Sequence, residues 1–195
     1  MNPQMHALLH ELYQQGQAND STHSIYNQRM MNLEPATAQL ISLFVRSSKR
    51  QHILEIGTSN GYSTTWLAWS AQQTGGRVTS IDREPHKHEL AAANLSRAGL
   101  RELVELCCGS ATEIVATLPG PFDCVFFDAD RFSAPSQVTL LLPKLTSDVL
   151  LLADNAISHP DEIAGYLAAI QALPDFESMI IPVGKGLSVA YRARG

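Results

Sequence analysis

The chain has 195 residues, 45% of them hydrophobic and 17% charged, a composition that predicts one ordinary globular domain with a sizeable core. Its formal net charge of −5 argues against nucleic acid as a partner, because such binding is led by clustered Lys and Arg. No apolar run approaches the length of a membrane span, and the first residues lack the pattern of a signal peptide. We therefore expect a cytoplasmic protein that does not contact a membrane.

The N-terminal part of the chain is predicted to be helical. Residues 4–16 carry an apolar stripe at helical spacing, and residues 16–22 are polar and predict a loop. A second helix is expected over 34–48, with Pro35 in its first turn. We expect a single domain over residues 1–195, in which residues 1–34 could cover the core, a dimer partner or the substrate mouth.

Strands and helices alternate through the rest of the chain. Strands are predicted at 53–56, 77–81, 103–108, 122–127, 149–153, 176–181 and 187–192. Helices are predicted at 64–71, 85–98, a short stretch ending at 118, 134–142 and 161–172. The last two strands have a link too short for a helical crossover, so they should pair antiparallel. The pattern predicts an α/β fold of the doubly wound, Rossmann-like kind, with a mainly parallel sheet and an antiparallel C-terminal hairpin.

A glycine loop follows the first predicted strand. The apolar run Ile53–Ile56 breaks at Gly57, and Gly61 comes four residues later, at the start of a helix. Such a crossing places backbone N–H groups and a helix N-terminus at the carboxyl edge of the sheet, where ligands bind. Glu55 lies inside the apolar run, and a carboxylate there is costly unless it is paired or used.

The spacing of the loop indicates which ligand it suits. Asp82 ends the second strand about 20 residues after Gly61, which fits an acceptor for ribose hydroxyls, although it could instead cap the helix at Pro85. The loop has no G-x-G-x-x-G and no P-loop lysine, so a nucleoside without a diphosphate is expected. This favours S-adenosylmethionine (SAM) over NAD. Glu55 would suit the cationic end of SAM, or it could pair with a backbone amide or an arginine.

Oxygen donors recur at two later strand ends. Asp128 follows the fourth strand, and Asp154 and Asn155 follow the fifth. Oxygen donors suit Mg²⁺, Mn²⁺ or Ca²⁺ better than Zn²⁺. The alternative is helix capping plus a buried acid pair, but two adjacent carboxylates repel each other and a cation between them is the more economical account.

These segments together resemble the class I SAM-dependent O-methyltransferases, in particular the cation-dependent catechol and caffeoyl-CoA O-methyltransferase-like family. The resemblance covers roughly residues 30–192. It rests on the segments Met31-Asn32 with Gln39, Leu54–Ser63, Ile81–Pro85, Phe122–Asp130 and Leu151–Asn155.

The resemblance implies a seven-stranded sheet, SAM as methyl donor, a small-molecule hydroxyl as acceptor and, commonly for this family, a homodimer. It implies that a divalent cation, usually Mg²⁺, is held by Asp128, Asp154 and Asn155. The residues expected at the cofactor are Met31, Asn32, Glu55, Gly57, Thr58, Ser59, Gly61, Ser63, Asp82, Arg83, Ser110, Ala111 and Asp128.

The chain departs from the family at the expected base. Relatives often carry a lysine after the first metal-binding strand, and Arg131 stands there. Arginine is a poor general base, so it could stabilise an oxyanion or hold an acidic substrate group, and the proton could go to water, Asp130 or His159. Ser188 replaces an acidic substrate contact of catechol-type enzymes. The alternatives are metal-independent methyl transfer and a catalytically weak SAM-binding module. A NAD-dependent enzyme is the least favoured alternative, because the chain has no G-x-G-x-x-G.

Overall fold

The computed structural model describes residues 1–193, which form one mixed α/β sheet structure. The strands are β1 (His52–Ile56), β2 (Arg77–Asp82), β3 (Val104–Cys108), β4 (Phe122–Phe127), β5 (Leu145–Ala153), β6 (Glu177–Ile181) and β7 (Leu187–Arg192). The helices are α1 (Pro3–Thr22), α2 (Pro35–Ser47), α3 (Tyr62–Thr74), α4 (Pro85–Arg97), α5 (Ala111–Thr117), α6 (Ala134–Leu141) and α7 (Pro160–Gln171). The predicted alternation of strands and helices is confirmed.

Within residues 1–193 the sheet has seven strands in the order β3-β2-β1-β4-β5-β7-β6. β1 to β5 pair in parallel, whereas β7 runs antiparallel to both β5 and β6. The order reverses between β1 and β4, so the carboxyl ends of these two central strands flank the crevice where such sheets bind ligands. The predicted doubly wound fold with an antiparallel C-terminal hairpin is confirmed.

The predicted loop after residue 16 is wrong, because α1 continues to Thr22. Gly16 lies within the helix and against Asn32, and a Cβ atom at Gly16 would lie 2.3 Å from Asn32 Nδ2. The glycine therefore serves close packing and does not end the helix. Leu9 and Leu12 are buried, so this helix covers part of the core.

Two elements begin two or more residues earlier than the sequence predicts. α3 begins at Tyr62, directly after Gly61, whose left-handed φ of 83° turns the chain into the helix. β5 begins at Leu145, which pairs with Phe122 ahead of the uniformly apolar part of the strand. The sequence pattern does not show either start, because α3 begins at the turn of Gly61 and β5 begins where Leu145 pairs with β4.

The hydrophobic core consists of one layer on each face of the sheet. Alternate residues of β1 show the division: Ile53 packs in the layer with α1, α2 and α3, while Leu54 and Ile56 pack in the layer with α6 and α7. Among the described residues no helix is both long and apolar enough to cross a membrane.

Candidate active site

The glycine loop between β1 and α3 is packed directly against the end of β4. Gly57 has φ of 112°, and a Cβ atom there would lie 2.4 Å from the carbonyl oxygen of Asp128. The Asp128 N–H donates to Ile56 O at 2.8 Å, so the two strand ends are joined at this point. A residue other than glycine would meet both backbone strain and a clash, which explains the glycine.

Hydrogen bonds tie the loop to two other parts of the chain. The Ser59 N–H donates to Asp82 Oδ2 at 2.8 Å, and its hydroxyl donates to Met30 O at 2.6 Å. Thr58 Oγ1 lies 2.6 Å from Ser80 Oγ in β2. The loop therefore holds the end of β2 and the segment before α2 in one place.

Asp82 does not cap α4. Its Oδ1 accepts the Glu84 N–H at 3.0 Å, and the N-cap of α4 is Glu84. Asp82 therefore stands at the loop, half-buried, with lone pairs beyond these two backbone contacts. Its contact with a ribose stays a prediction, as does the role of the exposed Arg83.

The segment predicted to pack over the cofactor borders an open cleft of about 320 Å³. Met31, at a φ of 49°, donates its N–H to Asp20 Oδ2 at 2.9 Å. Asn32 Nδ2 donates to Leu12 O at 3.0 Å, and Asn32 Oδ1 is buried without a hydrogen-bond partner. The cleft is lined by Tyr13, Gln17, Asp20, Arg29, Met31, Asn32, Glu34 and Lys185.

Glu55 is fully buried beneath the loop, on the face of the sheet that α3 covers. Its Oε2 accepts the Ser80 hydroxyl at 2.6 Å and the Thr64 hydroxyl, while its Oε1 is buried without a hydrogen-bond partner. Burial raises the pKa of Glu55 to about 7, and the hydroxyl donors oppose that rise. The Ser80 hydroxyl also lies 2.6 Å from Thr58 Oγ1, so the Glu55 carboxyl helps to hold the loop in place through Ser80. A direct contact of Glu55 with the cofactor stays a prediction.

We expect Glu55→Gln to flatten the pH dependence of stability. The pKa of Glu55 rises from 4.5 to about 7 on folding, so this group contributes stability that is present below about pH 4.5 and lost as the pH rises through about 7. Between about pH 5.5 and about pH 8 the wild type should lose roughly 2 kcal/mol more of its unfolding free energy than the variant. Urea unfolding measures this, with Glu113→Gln on the exposed side of α5 as the control for losing one carboxylate. Equal losses in wild type and Glu55→Gln would contradict it.

The predicted oxygen donors meet at the ends of β4 and β5. Phe127 and Ala153 are paired neighbours, and the Asp154 N–H donates to Phe127 O at 3.1 Å, so Asp128 and Asp154 follow adjacent strands side by side. Asp154 is buried, and its Oδ1 has no hydrogen-bond partner. Asn155, at a φ of 69°, turns the chain out of β5.

The electrostatics of this carboxylate pair fit a cation. Burial and the neighbouring charge of Asp154 raise the pKa of Asp128 well above its usual range. Burial raises the pKa of Asp154 to about 6. An unpartnered buried carboxylate oxygen, a second carboxylate and an amide oxygen are the donor types that Mg²⁺ takes. Within residues 1–193 no group of three or more His, Cys, Asp or Glu is placed to hold a metal, and this set of two carboxylates and one amide is of a different kind.

Arg131 lies beside Asn155, and each of its three guanidinium nitrogens has a partner. Its Nη1 donates to Asn155 Oδ1 at 3.1 Å, while Nε and Nη2 lie 3.0 and 2.8 Å from Glu162 Oε2 in α7. His159 Nδ1 lies 2.8 Å from the Ser158 hydroxyl, and its backbone N–H donates to Asn155 O at 3.1 Å. Arg131 and His159 thus both contact the proposed ligand residue Asn155, and catalytic roles for both stay predictions.

The remaining predicted cofactor residues lie at two helix starts. Ser63 is buried in the first turn of α3. Ser110 is the exposed N-cap residue of α5, and Ala111 is its first helical residue. Both starts are at the carboxyl edge of the sheet, as the prediction requires.

Lys185 is a residue of the site that the sequence prediction did not name. Lys185 Nζ lies 3.0 Å from Glu34 Oε1; burial lowers its pKa, but Glu34, Asp154 and Asp128 outweigh that effect and raise it. The Gly184-Lys185-Gly186 turn was the available signal, since it predicts a lysine presented between two flexible positions. Ser188 is buried within β7 opposite Ala153, the residue before Asp154, and its place relative to the substrate stays a prediction.

Comparison with known proteins agrees with this geometry. A sequence model of a family described as "Methyltransferase domain" matches residues 54–156, which is just over half of the chain. The chain therefore belongs to this methyltransferase family. The predicted membership of a methyltransferase family is confirmed.

Individual relatives show how far the likeness extends. A protein named catechol O-methyltransferase from Mycobacterium tuberculosis is 35% identical over 120 residues, 61% of this chain and 54% of that protein. Another of that name from Niastella koreensis is 32% identical over 131 residues, 65% of this chain and 59% of that protein. The chain thus spans less than two thirds of these relatives. The crystal structure of an O-methyltransferase from Bacillus cereus in complex with SAH has a TM-score of 0.83 at 25% identity, covering 96% of this chain and 91% of that one.

Proposed function

We propose that this protein transfers the methyl group of SAM to a hydroxyl of a small molecule, with a divalent cation, Mg²⁺ in the first place, at Asp128, Asp154 and Asn155. The observation that carries the proposal is the direct contact between the glycine loop and Asp128. Gly57 packs against the backbone of Asp128, so a methyl donor at the loop and an acceptor at the cation would meet at one edge of the sheet. The SAH complex of the Bacillus cereus relative supports the choice of cofactor.

The roles of the chain's own residues follow from their positions. The loop from Gly57 to Gly61, with Asp82 beneath it, would hold the nucleoside. Asp128, Asp154 and Asn155 would hold the cation. When bound, SAM supplies the activated methyl group and the cation lowers the pKa of the acceptor hydroxyl.

The walls of the site would position the acceptor. The Asn155–Ser158 stretch is bonded to the turn at Lys185 and Gly186, since the Ala156 N–H donates to Gly186 O and the Ile157 N–H to Lys185 O, both at 2.9 Å. This junction follows Asp154 and Asn155 directly in the chain, so it would form one side of the acceptor mouth. Lys185 remains protonated because its pKa is raised, so it would serve as a fixed positive charge and not as a general base.

A second candidate function is metal-independent transfer by the same fold. The observation that favours it is the bond from Arg131 to Asn155 Oδ1, which engages the one amide oxygen of the set. Asp128 and Asp154 would then contact the cofactor or acceptor directly. A catalytically weak SAM-binding protein remains the alternative to both enzymes, since Arg131 is a poor base.

Calorimetric titration with SAM and a methyl-transfer assay test these functions. We expect SAM binding and methylation of at least one catechol or vicinal diol, with activity that Mg²⁺ supports and EDTA removes. Turnover that EDTA leaves unchanged would contradict the proposed need for a cation and would favour metal-independent transfer. Tight SAM binding with no turnover on any acceptor would favour the binding protein. Cytoplasmic location and a homodimer stay predictions.

A further inference from the structure

The guanidinium of Arg131 is held in a fixed position between α7 and the end of β5. Nε and Nη2 both point at Glu162 Oε2, at 3.0 and 2.8 Å, and Nη1 reaches Asn155 Oδ1 at 3.1 Å. The Arg131 side chain is only 16% exposed. A planar fork with three fixed contacts leaves little freedom, so the positive charge stays beside Asn155.

Two hydrogen bonds hold the amide of Asn155 in one orientation. Its Nδ2 donates to Ser158 Oγ at 3.2 Å, so turning the amide over would lose that bond and the one to Arg131. The residue also follows β5 with a φ of 69°, which sets the direction of its Cα–Cβ bond. The oxygen that a cation would need is therefore the oxygen that Arg131 already binds.

Charge reinforces this overlap. The positive charges of Arg131 and Lys185 both act on the carboxylates of Asp128 and Asp154. A divalent ion arriving at the same carboxylates would be repelled by a guanidinium one side chain away. Part of the charge that the ion would supply is thus provided by the protein itself.

We infer that Arg131 is an internal competitor for the divalent cation, whose guanidinium must release Asn155 before the cation is fully ligated. The inference rests on the proposed cation site and deepens it, because it makes Arg131 the residue that sets cation affinity. The residue at position 131 therefore sets how tightly the site binds a divalent cation. Once the guanidinium releases Asn155, it stays bound to Glu162.

Binding of Mn²⁺ alone, followed by electron paramagnetic resonance of the free ion, tests the competition without any turnover. We expect Arg131→Met to bind Mn²⁺ at least about tenfold more tightly than wild type. Arg77→Met, at the exposed start of β2 on the opposite edge of the sheet, removes an equal charge and should leave the affinity as in wild type. Adding Asp154→Asn to Arg131→Met should abolish the gain.

Each other outcome has a definite meaning. Equal or weaker Mn²⁺ binding by Arg131→Met, with wild type binding measurably, overturns the competition and leaves the cation site standing. No binding by any variant overturns both. If Arg131→Met does not fold, Arg131→Lys replaces it, because an ammonium cannot span Asn155 and Glu162 as the fork does; it should bind Mn²⁺ more tightly than wild type, and an unchanged affinity contradicts the inference.

Discussion

Replacing Asp154 by asparagine is expected to lower Mg²⁺-dependent methyl transfer by about 100-fold or more, while making the ligand-free protein more stable at alkaline pH. The first effect follows from loss of a charged ligand whose Oδ1 is buried and unpartnered. The second follows because asparagine removes a buried charge that faces the carboxylate of Asp128.

The sign of the stability change follows from the direction of the pKa shift. The pKa of Asp154 rises from 3.8 to about 6 on folding, because of burial, so the folded state retains a proton that the unfolded state has lost. The contribution of this group is present below about pH 4 and lost as the pH rises through about 6. At about pH 8 the variant should therefore gain roughly 1–3 kcal/mol of unfolding free energy over wild type.

Urea unfolding at about pH 5 and about pH 8, with and without Mg²⁺, measures both parts. Saturating Mg²⁺ should stabilise the wild type and leave Asp154→Asn unchanged, since only the wild type binds the ion. Asp161→Asn, exposed in the first turn of α7, is the control for losing one carboxylate nearby. A variant that keeps Mg²⁺-dependent activity, or that is less stable than wild type at about pH 8, would contradict the assignment of Asp154.

Replacing Gly57 by alanine is expected to cost several kcal/mol of stability and to remove SAM binding. The added Cβ would lie 2.4 Å from Asp128 O and 2.8 Å from Asp128 C, which are backbone atoms that cannot rotate away. The φ of 112° adds conformational strain for any residue with a side chain. To relieve the clash or the backbone strain, the loop would have to move away from β4. The loop proposed to bind the nucleoside would then lie further from Asp128 and Asp154.

Gly99→Ala is the matched control for this substitution. Gly99 also has a left-handed φ, 67°, but a Cβ atom there meets nothing within 4 Å. Its replacement should cost about 1–2 kcal/mol from conformation alone and leave SAM binding intact. Thermal unfolding and SAM titration of the two variants separate strain from contact; a Gly57→Ala protein as stable as Gly99→Ala would show that the loop does not need this close approach.

Much of the fold could be predicted because it is encoded locally. Alternating apolar runs and helical stripes give the order of the elements, and a short link forces β6 and β7 to be antiparallel. Polar residues at strand ends must share one edge of a parallel sheet, so the neighbourhood of Asp128 and Asp154 follows from the pattern. The continuation of α1 beyond Gly16 does not, since the reason for that glycine is its contact with Asn32, a residue of another segment.

From the sequence alone it was possible to predict the class of fold, and to name candidate residues for a nucleoside and a cation at the carboxyl edge of the sheet. The hydrogen-bond and ion-pair partners of those residues depend on the tertiary structure. It enclosed Glu55 under hydroxyl groups, brought Lys185 to the carboxylates from a distant turn, and placed Arg131 on Asn155. The physical reason is that strand ends and glycine spacing are properties of neighbouring residues, whereas charge balance and burial depend on segments that meet only when the sheet has formed.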